Sequence, residues 1–278
     1  NEFGTQGELP SHPKLLDWLA REFVDGEWNV QDIQKKILTS ATYQQTSRYR
    51  SELLGKDPEN RLLAKGPRLR LPAEMIRDNA LSISGLLDRN RATGGPSVFP
   101  YQPTGLWENK AFYCRALYEQ SQGPDLYRRS LYTFWKRSVP NPVLMTFDAP
   151  DREVCTVKRE RTVTPLQAFV TLNEITYVEA SRVFAERILR KAGPTFNERI
   201  QYAYQVALAR LPSSTEQKII KRTYQKILKN YQGDRKMALS LVNIGQSPRT
   251  EELDLMQHAA WTGIASMILN LDETMTKE

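Results

Sequence analysis

Residues 1–90 carry apolar side chains at intervals of three and four, the period of an amphipathic α-helix. One helix is expected to begin at Pro13, because proline is favoured at the first helical position. Asn29 is expected to cap a second helix, and Pro72 is expected to open a third. The predicted apolar faces comprise Leu15, Leu16, Leu19 and Phe23, then Ile33, Ile37 and Leu38, and finally Met75, Ile76, Ala80, Ile83 and Leu87.

The same spacing returns after Val163 and continues almost to the end of the chain. At the start of this part, Thr164 is expected to cap a helix that has Pro165 at its first position, with the Gln167 side chain reaching back to the cap. Gly233 is expected to separate two later helices. Two further capping boxes are predicted, at Thr195 with Glu198 and at Ser213 with Glu216. This part is typical of an antiparallel helical array with short turns.

The middle of the chain lacks such a period, and glycine and proline interrupt residues 91–126 throughout. A connection of this length is either functional or joins two subdomains. Just after this connection, residues 130–135 have strand-favouring side chains and are compatible with a short strand or a buried helix. The sequence therefore predicts an all-α protein with an N-terminal helical part (1–90), an irregular central segment rich in glycine, proline and aromatic residues (91–163), and a C-terminal helical subdomain (164–278).

The formal net charge of +7 reflects basic residues spread along the chain. They are locally dense at Arg128, Arg129, Lys136, Arg137, Lys158, Arg159 and Arg161. No nucleic-acid-binding motif accompanies them, so we expect a mixed, solvated surface that faces an acidic neighbour rather than nucleic acid. No apolar run is long enough to span a membrane.

The histidine and cysteine content limits the chemistry of the chain. His12 and His258 are its two histidines, so we expect neither a histidine-rich zinc site nor a Cys–His catalytic pair unless the rest of a larger parent supplies further residues. We expect His12 to lie at a helix start and His258 to be partly buried near the surface. Cys114 and Cys155 form no CxxC or haem-attachment motif, and they are either a disulfide or two buried thiols. No metal site and no cofactor are predicted for this chain.

Three carboxylates lie close together at Asp148, Asp151 and Glu153. Clustered oxygens of this kind suit cation binding or general acid–base catalysis, although the spacing is not that of an EF-hand loop. Neighbouring basic residues could instead satisfy them in a structural ion-pair network. In the catalytic alternative, Arg159 and Arg161 would hold an anionic group of a ligand.

Aromatic residues are frequent in and around the irregular segment. Candidate ligand-binding residues are Tyr101, Trp107, Tyr113 and Trp135, with Phe99 and Phe112 beside them. Flat rings on a glycine- and proline-rich loop can stack on sugar rings or on another protein domain. The alternative is that the rings fasten the loop over the protein's own core.

Several long motifs in order carry a family resemblance. They are Asn1–Glu8, Ser11–Ala20, Arg70–Asp78, Gly94–Val98, Pro100–Trp107, Tyr127–Pro140, Phe147–Cys155, Thr164–Phe169 and Ala260–Thr274. Together they resemble the C-terminal domain of unknown function 1553, found in large exported proteins of Planctomycetes and their relatives, often beside cytochrome-c-like domains. The family has no established activity. The resemblance implies a fragment of a larger multidomain parent, an extracytoplasmic location (periplasm or cell surface), and haem, if any, in other domains of that parent.

The sequence thus leaves two functions open. The first is a non-catalytic module that contacts other domains of its parent, and a cell-surface partner or glycan, through the aromatic loop and the acidic and basic segment. The alternative is a catalytic domain that acts on polysaccharide, with Asp148, Asp151 or Glu153 as acid or base. Neither function involves nucleic acid or a membrane span.

Overall fold

The computed structural model describes residues 5–48, 51–90, 94–107 and 118–277. In these ranges the fold is all-α apart from one two-stranded sheet, which confirms the predicted fold class. The chain divides into two compact units, Asn1–Arg70 with Thr276–Glu278, and Leu71–Met275. These two units are defined by contacts between residues, whereas the boundaries that the sequence predicted, at residues 90 and 163, were placed where glycine and proline become frequent or rare.

The first unit contains α1 (Pro13–Asp25), α2 (Val30–Thr39) and α3 (Ser51–Leu54). As predicted, α1 begins at Pro13, and the Asn29 side chain caps α2 by accepting from the backbone N–H groups of Gln31 and Asp32. In the turn between these helices the Trp28 ring packs edge-on against Phe23, with centroids 5.3 Å apart. A short antiparallel ladder pairs β1 (Leu69–Arg70) with β2 (Thr276–Lys277).

The second unit is built around two long helices that pack on each other. Its helices are α4 (Ala73–Ser84), α5 (Pro142–Thr146), α6 (Pro165–Asn173), α7 (Ile175–Lys191), α8 (Phe196–Leu208), α9 (Ser214–Gly233), α10 (Arg235–Val242), α11 (Leu255–Leu269) and α12 (Asp272–Met275). Helix α11 is apolar on almost every side, as expected of a helix enclosed by neighbours. It contacts α7, α9 and α10, and α7 also contacts α4. The fully buried side chains of this unit include Phe184, Ile188, Ile200, Trp261, Ile264 and Ile268.

Most predicted helix caps are confirmed. Both capping boxes, Thr195 with Glu198 and Ser213 with Glu216, are formed in full. Thr164 caps α6, but the Gln167 side chain donates to the Thr146 carbonyl oxygen at 3.0 Å instead of reaching back to the cap. The difference arises because Gln167 is buried beside α5, where an unsatisfied carbonyl would be costly.

The central segment contains short turns of 3-10 helix at Gly123–Tyr127 and Ser130–Tyr132. A single parallel bridge then joins Val98 to Thr133, with N···O distances of 2.8 Å on both sides of Val98. Residues 130–135 are therefore neither a regular strand nor a buried α-helix. Despite their strand-favouring side chains, these residues form one backbone bridge, because no further strand lies beside them in the described part of the chain.

Two buried arginines hold the central segment in place. Arg77 of α4 donates to the carbonyl oxygens of Leu126 and Arg128 at 2.7 and 3.0 Å. Arg128 in turn donates to the carbonyl oxygens of Gly94 and Pro96. The expectation that Arg128 contributes to a basic surface is wrong, because its side chain satisfies backbone carbonyls that the irregular chain leaves unpaired.

We predict that Phe184→Ala lowers the free energy of unfolding by about 3–5 kcal/mol, because it opens a cavity between α7 and α11. Urea denaturation followed by circular dichroism measures this loss. Phe169→Ala on α6 is the matched control, since that ring is 63% exposed and its removal should change stability by less than about 0.5 kcal/mol. Equal losses in both variants would contradict the placement of Phe184 in the core.

Candidate functional site

Asp148 lies at a sharp turn after α5 and is tied to a distant part of the loop. Its backbone φ is 62°, in the left-handed region. Its carboxylate accepts from the backbone N–H of Thr162 at 2.7 Å and from the Thr162 hydroxyl at 2.9 Å. Both carboxylate oxygens therefore have a donor, and their observed role is to close residues 148–162 into a loop.

Asp151 and Glu153 lie in an exposed stretch without regular structure, residues 151–164. The Asp151 carboxylate accepts from the Glu153 backbone N–H at 3.0 Å. The Asp151 carbonyl oxygen accepts from the Trp135 ring nitrogen at 3.0 Å, and the Arg152 guanidinium lies 4.7 Å from the centroid of that ring. The structure thus brings Trp135 and Asp151 together.

The basic residues Arg159 and Arg161 do not pair with these carboxylates in the described structure. Arg159 pairs with Glu74 of α4 at 2.7 Å, and Arg161 is exposed. Among the described residues, no ion pair joins Asp148, Asp151 or Glu153 to an arginine, so the ion-pair network considered from the sequence is not formed there. The assignment of these carboxylates to catalysis stays a prediction.

The structure describes one of the two cysteines. Cys155 is exposed and free, while Cys114 falls outside the described residues. Within the described ranges, no group of three or more His, Cys, Asp or Glu side chains is placed to hold a metal ion.

Two of the candidate aromatic residues are buried. Tyr101 and Trp107 are each 7% exposed, while Tyr113 lies outside the described residues. Trp107 packs among Phe99, Tyr118 and Phe134, and the Lys136 ammonium sits 4.4 Å from its ring centroid. These rings cover the protein's own core, so the faces of Tyr101 and Trp107 are not presented to solvent. Their assignment to ligand binding stays a prediction.

A buried carboxylate on α7 organises the polar interior of the second unit. Glu179 is fully buried and accepts from the hydroxyls of Tyr101 and Tyr127 at 3.1 and 2.7 Å. It also accepts from the backbone N–H of Ser247 at 2.7 Å. Gly245 is required beside it, because a Cβ at that position would lie 2.2 Å from the Glu179 carboxyl carbon. Burial raises the pKa of both tyrosines, so their hydroxyls remain donors.

Arg182, Glu186 and His258 extend this network. Arg182 pairs with Glu186 at 2.7 Å and donates to the carbonyl oxygens of Ile244 and Ser247 at 3.2 and 2.6 Å. His258 has no exposed surface, so the expectation of a partly exposed histidine is wrong. Burial lowers the pKa of His258, and the neutral ring can donate from Nε2 to the Arg182 carbonyl oxygen at 3.2 Å.

Sequence reasoning did not single out this network, although a signal was present. Glu179, Arg182 and Glu186 recur at intervals of three and four beside the apolar stripe of α7. Charges that follow the period of the buried face, instead of the opposite face, indicate a buried ionic row. His258 gave a similar signal, since it belongs to a helix without a polar face.

A second polar cluster surrounds the half-buried Glu174, which caps α7 by accepting from the Thr176 backbone N–H at 2.9 Å. It lines a cavity of about 10 Å³ with Arg77, Thr133 and Tyr177. The Nε of Arg77 and the hydroxyls of Thr133 and Tyr177 have no hydrogen-bond partner among the described residues. Such a cavity suits one water molecule and is far too small for a substrate.

Comparison with known proteins places the chain in a family. The sequence model of the family described as "Protein of unknown function (DUF1553)" matches residues 1–224. The chain belongs to the DUF1553 family. No curated protein and no solved structure matches it. The DUF1553 match runs from the first unit into α9 and includes Glu179, Arg182 and Glu186.

We predict that Glu179→Ala lowers the free energy of unfolding by about 3–5 kcal/mol, because it leaves two tyrosine hydroxyls and a backbone N–H without their acceptor. Chemical denaturation measures the loss. The control is Glu160→Ala, which removes an exposed carboxylate and should change stability by less than about 0.5 kcal/mol. A loss below 1 kcal/mol for Glu179→Ala would contradict a central role for this network.

Glu174 should make stability depend on pH. Burial raises its pKa from 4.5 to about 7, so the folded state favours the protonated carboxyl. The contribution of this group to the free energy of unfolding is fully present below pH 4.5. It is lost as the pH rises to about 7, and the loss amounts to at most about 3 kcal/mol. Unfolding experiments across this range should show that Glu174→Gln flattens the decline. Identical pH profiles for both proteins would contradict the raised pKa.

Proposed function

We propose that this DUF1553 chain is a non-catalytic interaction module whose α1–α2 surface packs against another protein domain. One observation carries the proposal. Among the described residues of 5–70, no apolar side chain is buried, and neither α1 nor α2 has a buried residue of any kind. The second unit, by contrast, encloses a continuous core.

The helices α1 and α2 are amphipathic, so their exposure is not that of an ordinary polar surface. The exposed fractions are 55% for Leu16, 48% for Trp18, 65% for Trp28 and 51% for Leu38. Leu15, Val24, Val30 and Ile37 are also between 41% and 54% exposed. Amphipathic helices are stabilised chiefly by burial of their apolar face against another element. Large apolar patches that stay exposed mark interaction surfaces.

Polar contacts within the unit do not replace this burial. Lys36 of α2 pairs with Glu22 of α1 at 2.5 Å and with Asp32 at 2.9 Å, and all three side chains are at least 34% exposed. Ion pairs this accessible to solvent contribute about 0–1 kcal/mol. Covering the apolar face would contribute about 25 cal/mol for each Å² removed from water. The energetic balance therefore favours docking.

The partner we propose is a further domain of a larger exported protein. We also propose an extracytoplasmic location and place haem, if any, in other domains of the parent, on the resemblance of the sequence motifs to those of exported multidomain proteins. A cell-surface glycan is proposed as an additional partner of the exposed segment 151–164. None of the described helices is long and apolar enough to cross a membrane. The catalytic alternative for Asp148, Asp151 and Glu153 stays a prediction.

The triple variant Leu16→Ser, Trp18→Ser, Ile37→Ser tests the proposed surface. We expect it to bind far less of the hydrophobic dye ANS than the unaltered chain. Its free energy of unfolding should change by less than about 0.5 kcal/mol per site, because all three side chains are already exposed. The matched control Lys14→Ser, Arg21→Ser, Lys35→Ser removes exposed polar residues from the same helices and should leave dye binding unchanged. A loss of several kcal/mol in the apolar variant would show that these residues form a core instead of a docking face.

A photo-crosslinking residue at position 16, in the protein as its host produces it, tests the partner. We expect crosslinks to an apolar segment outside these 278 residues, and none from the same residue at position 21. Crosslinks confined to the 278-residue chain would contradict docking to another domain.

A further inference from the structure

An open groove of about 1240 Å³ runs along the second unit, away from the residues that sequence reasoning selected. Its lining comes from the C-terminal half of α7, the end of α4 and residues 85–90. Residues of the segments 123–127 and 246–248 complete the lining. Its volume exceeds the roughly 300–1,000 Å³ that is usual for small-molecule pockets, so it suits an extended ligand.

The charged residues of the groove are mainly cations. Arg89, Arg187, Arg190 and Lys191 line it, against Asp88 and Glu186. Glu186 is paired with the buried guanidinium of Arg182 at 2.7 Å, which also lies 3.9 Å from the Glu179 carboxylate, so four cations face two carboxylates in the lining. The groove therefore presents a positive field to whatever enters it.

Two of these cations are held by neutral groups. Arg187 donates to the Ile83 carbonyl oxygen at 2.7 Å and to the Tyr202 hydroxyl at 3.0 Å. Arg89 donates to the Ser82 hydroxyl at 3.1 Å. Neither forms an ion pair with a carboxylate among the described residues, so their charges stay uncompensated, and the several bonds of the part-buried Arg187 hold its guanidinium in place. Fixed guanidinium groups of this kind bind carboxylates with little loss of side-chain entropy.

The other two cations are free to close on a ligand. Arg190 and Lys191 lie in the last turn of α7 and are exposed. Neither has a hydrogen bond or an ion pair within the described part of the chain. They can therefore form charge-assisted bonds to an anion without giving up an existing partner.

The rest of the lining indicates what kind of anion fits. Asn90 and Gln246 are exposed amide side chains in the lining, and amides match the donor and acceptor pattern of a peptide backbone, although the Gln246 amide oxygen already accepts from the Gly123 backbone N–H at 3.3 Å. Among the lining residues that the structure describes, Tyr127 is the one aromatic residue, and it is 9% exposed with its hydroxyl bound to Glu179, so these residues offer no ring for stacking on a base or a sugar. We propose that this groove binds an extended acidic peptide segment of a protein partner through Arg89, Arg187, Arg190 and Lys191.

A binding assay on the whole chain tests this site, independently of the α1–α2 surface. The probe is a fluorescently labelled ten-residue peptide of alternating glutamate and serine, and its partner probe replaces every glutamate with glutamine. Fluorescence anisotropy should show saturable binding of the first peptide and none of the second. The double variant Arg190→Gln, Lys191→Gln should raise the Kd at least about tenfold, because two charge-assisted contacts are lost.

The matched control is Lys218→Gln, Lys221→Gln, which removes the same charge from exposed positions on α9, outside the groove. It should leave the Kd unchanged within about twofold, since its effect is limited to screened long-range attraction. Thermal unfolding of both variants checks that each is folded. A second variant, Arg187→Lys, keeps the charge but loses the fork and should also weaken binding.

Three outcomes would overturn the proposal. Equal loss of affinity in the groove and control variants would show general charge attraction. Equal binding of the glutamate and glutamine peptides would exclude recognition of carboxylates. Saturable binding of an oligogalacturonate that the groove variant abolishes, with no binding of the acidic peptide, would assign the groove to an acidic glycan.

Discussion

The burial of one carboxylate, Glu179, is the constraint on which the second unit depends. A buried charge needs donors on every side, and here they come from Tyr101, Tyr127 and Ser247, which belong to three different parts of the chain. The network thereby ties the irregular segment and the loop before α11 to the central helix α7. An apolar residue at this position would leave the two tyrosine hydroxyls and the Ser247 N–H without their acceptor.

The two units differ in how much apolar surface they bury, and this difference bears on function. The second unit has a large buried core and a buried hydrogen-bond network around Glu179, so it can present side chains from fixed positions. The first unit has amphipathic helices without a buried side chain, and its apolar face is open. A fixed, positively charged groove and an open apolar face are both features of a protein that binds other proteins.

The parts of the structure that sequence reasoning predicted well are those governed by local geometry. The capping boxes at Thr195 and Ser213 need residues three positions apart, so the sequence contains the whole interaction. The same reasoning from close neighbours in the sequence was applied to the carboxylates Asp148, Asp151 and Glu153. It considered the nearby basic residues as their ion-pair partners. Arg159 reaches Glu74, which lies 85 residues away, and no local pattern carries that information.

Sequence by itself determined the all-α class, most helix starts and the absence of a histidine-rich site, because these follow from periodicity, caps and residue counts. Tertiary structure decided which polar residues matter. Arg128 and His258 looked like surface residues, yet both are fully buried, since Arg128 satisfies two backbone carbonyls and His258 satisfies one, all from other segments. Tertiary structure also left the α1–α2 face open and gathered four cations along one groove, because exposure and proximity depend on contacts between distant parts of the chain.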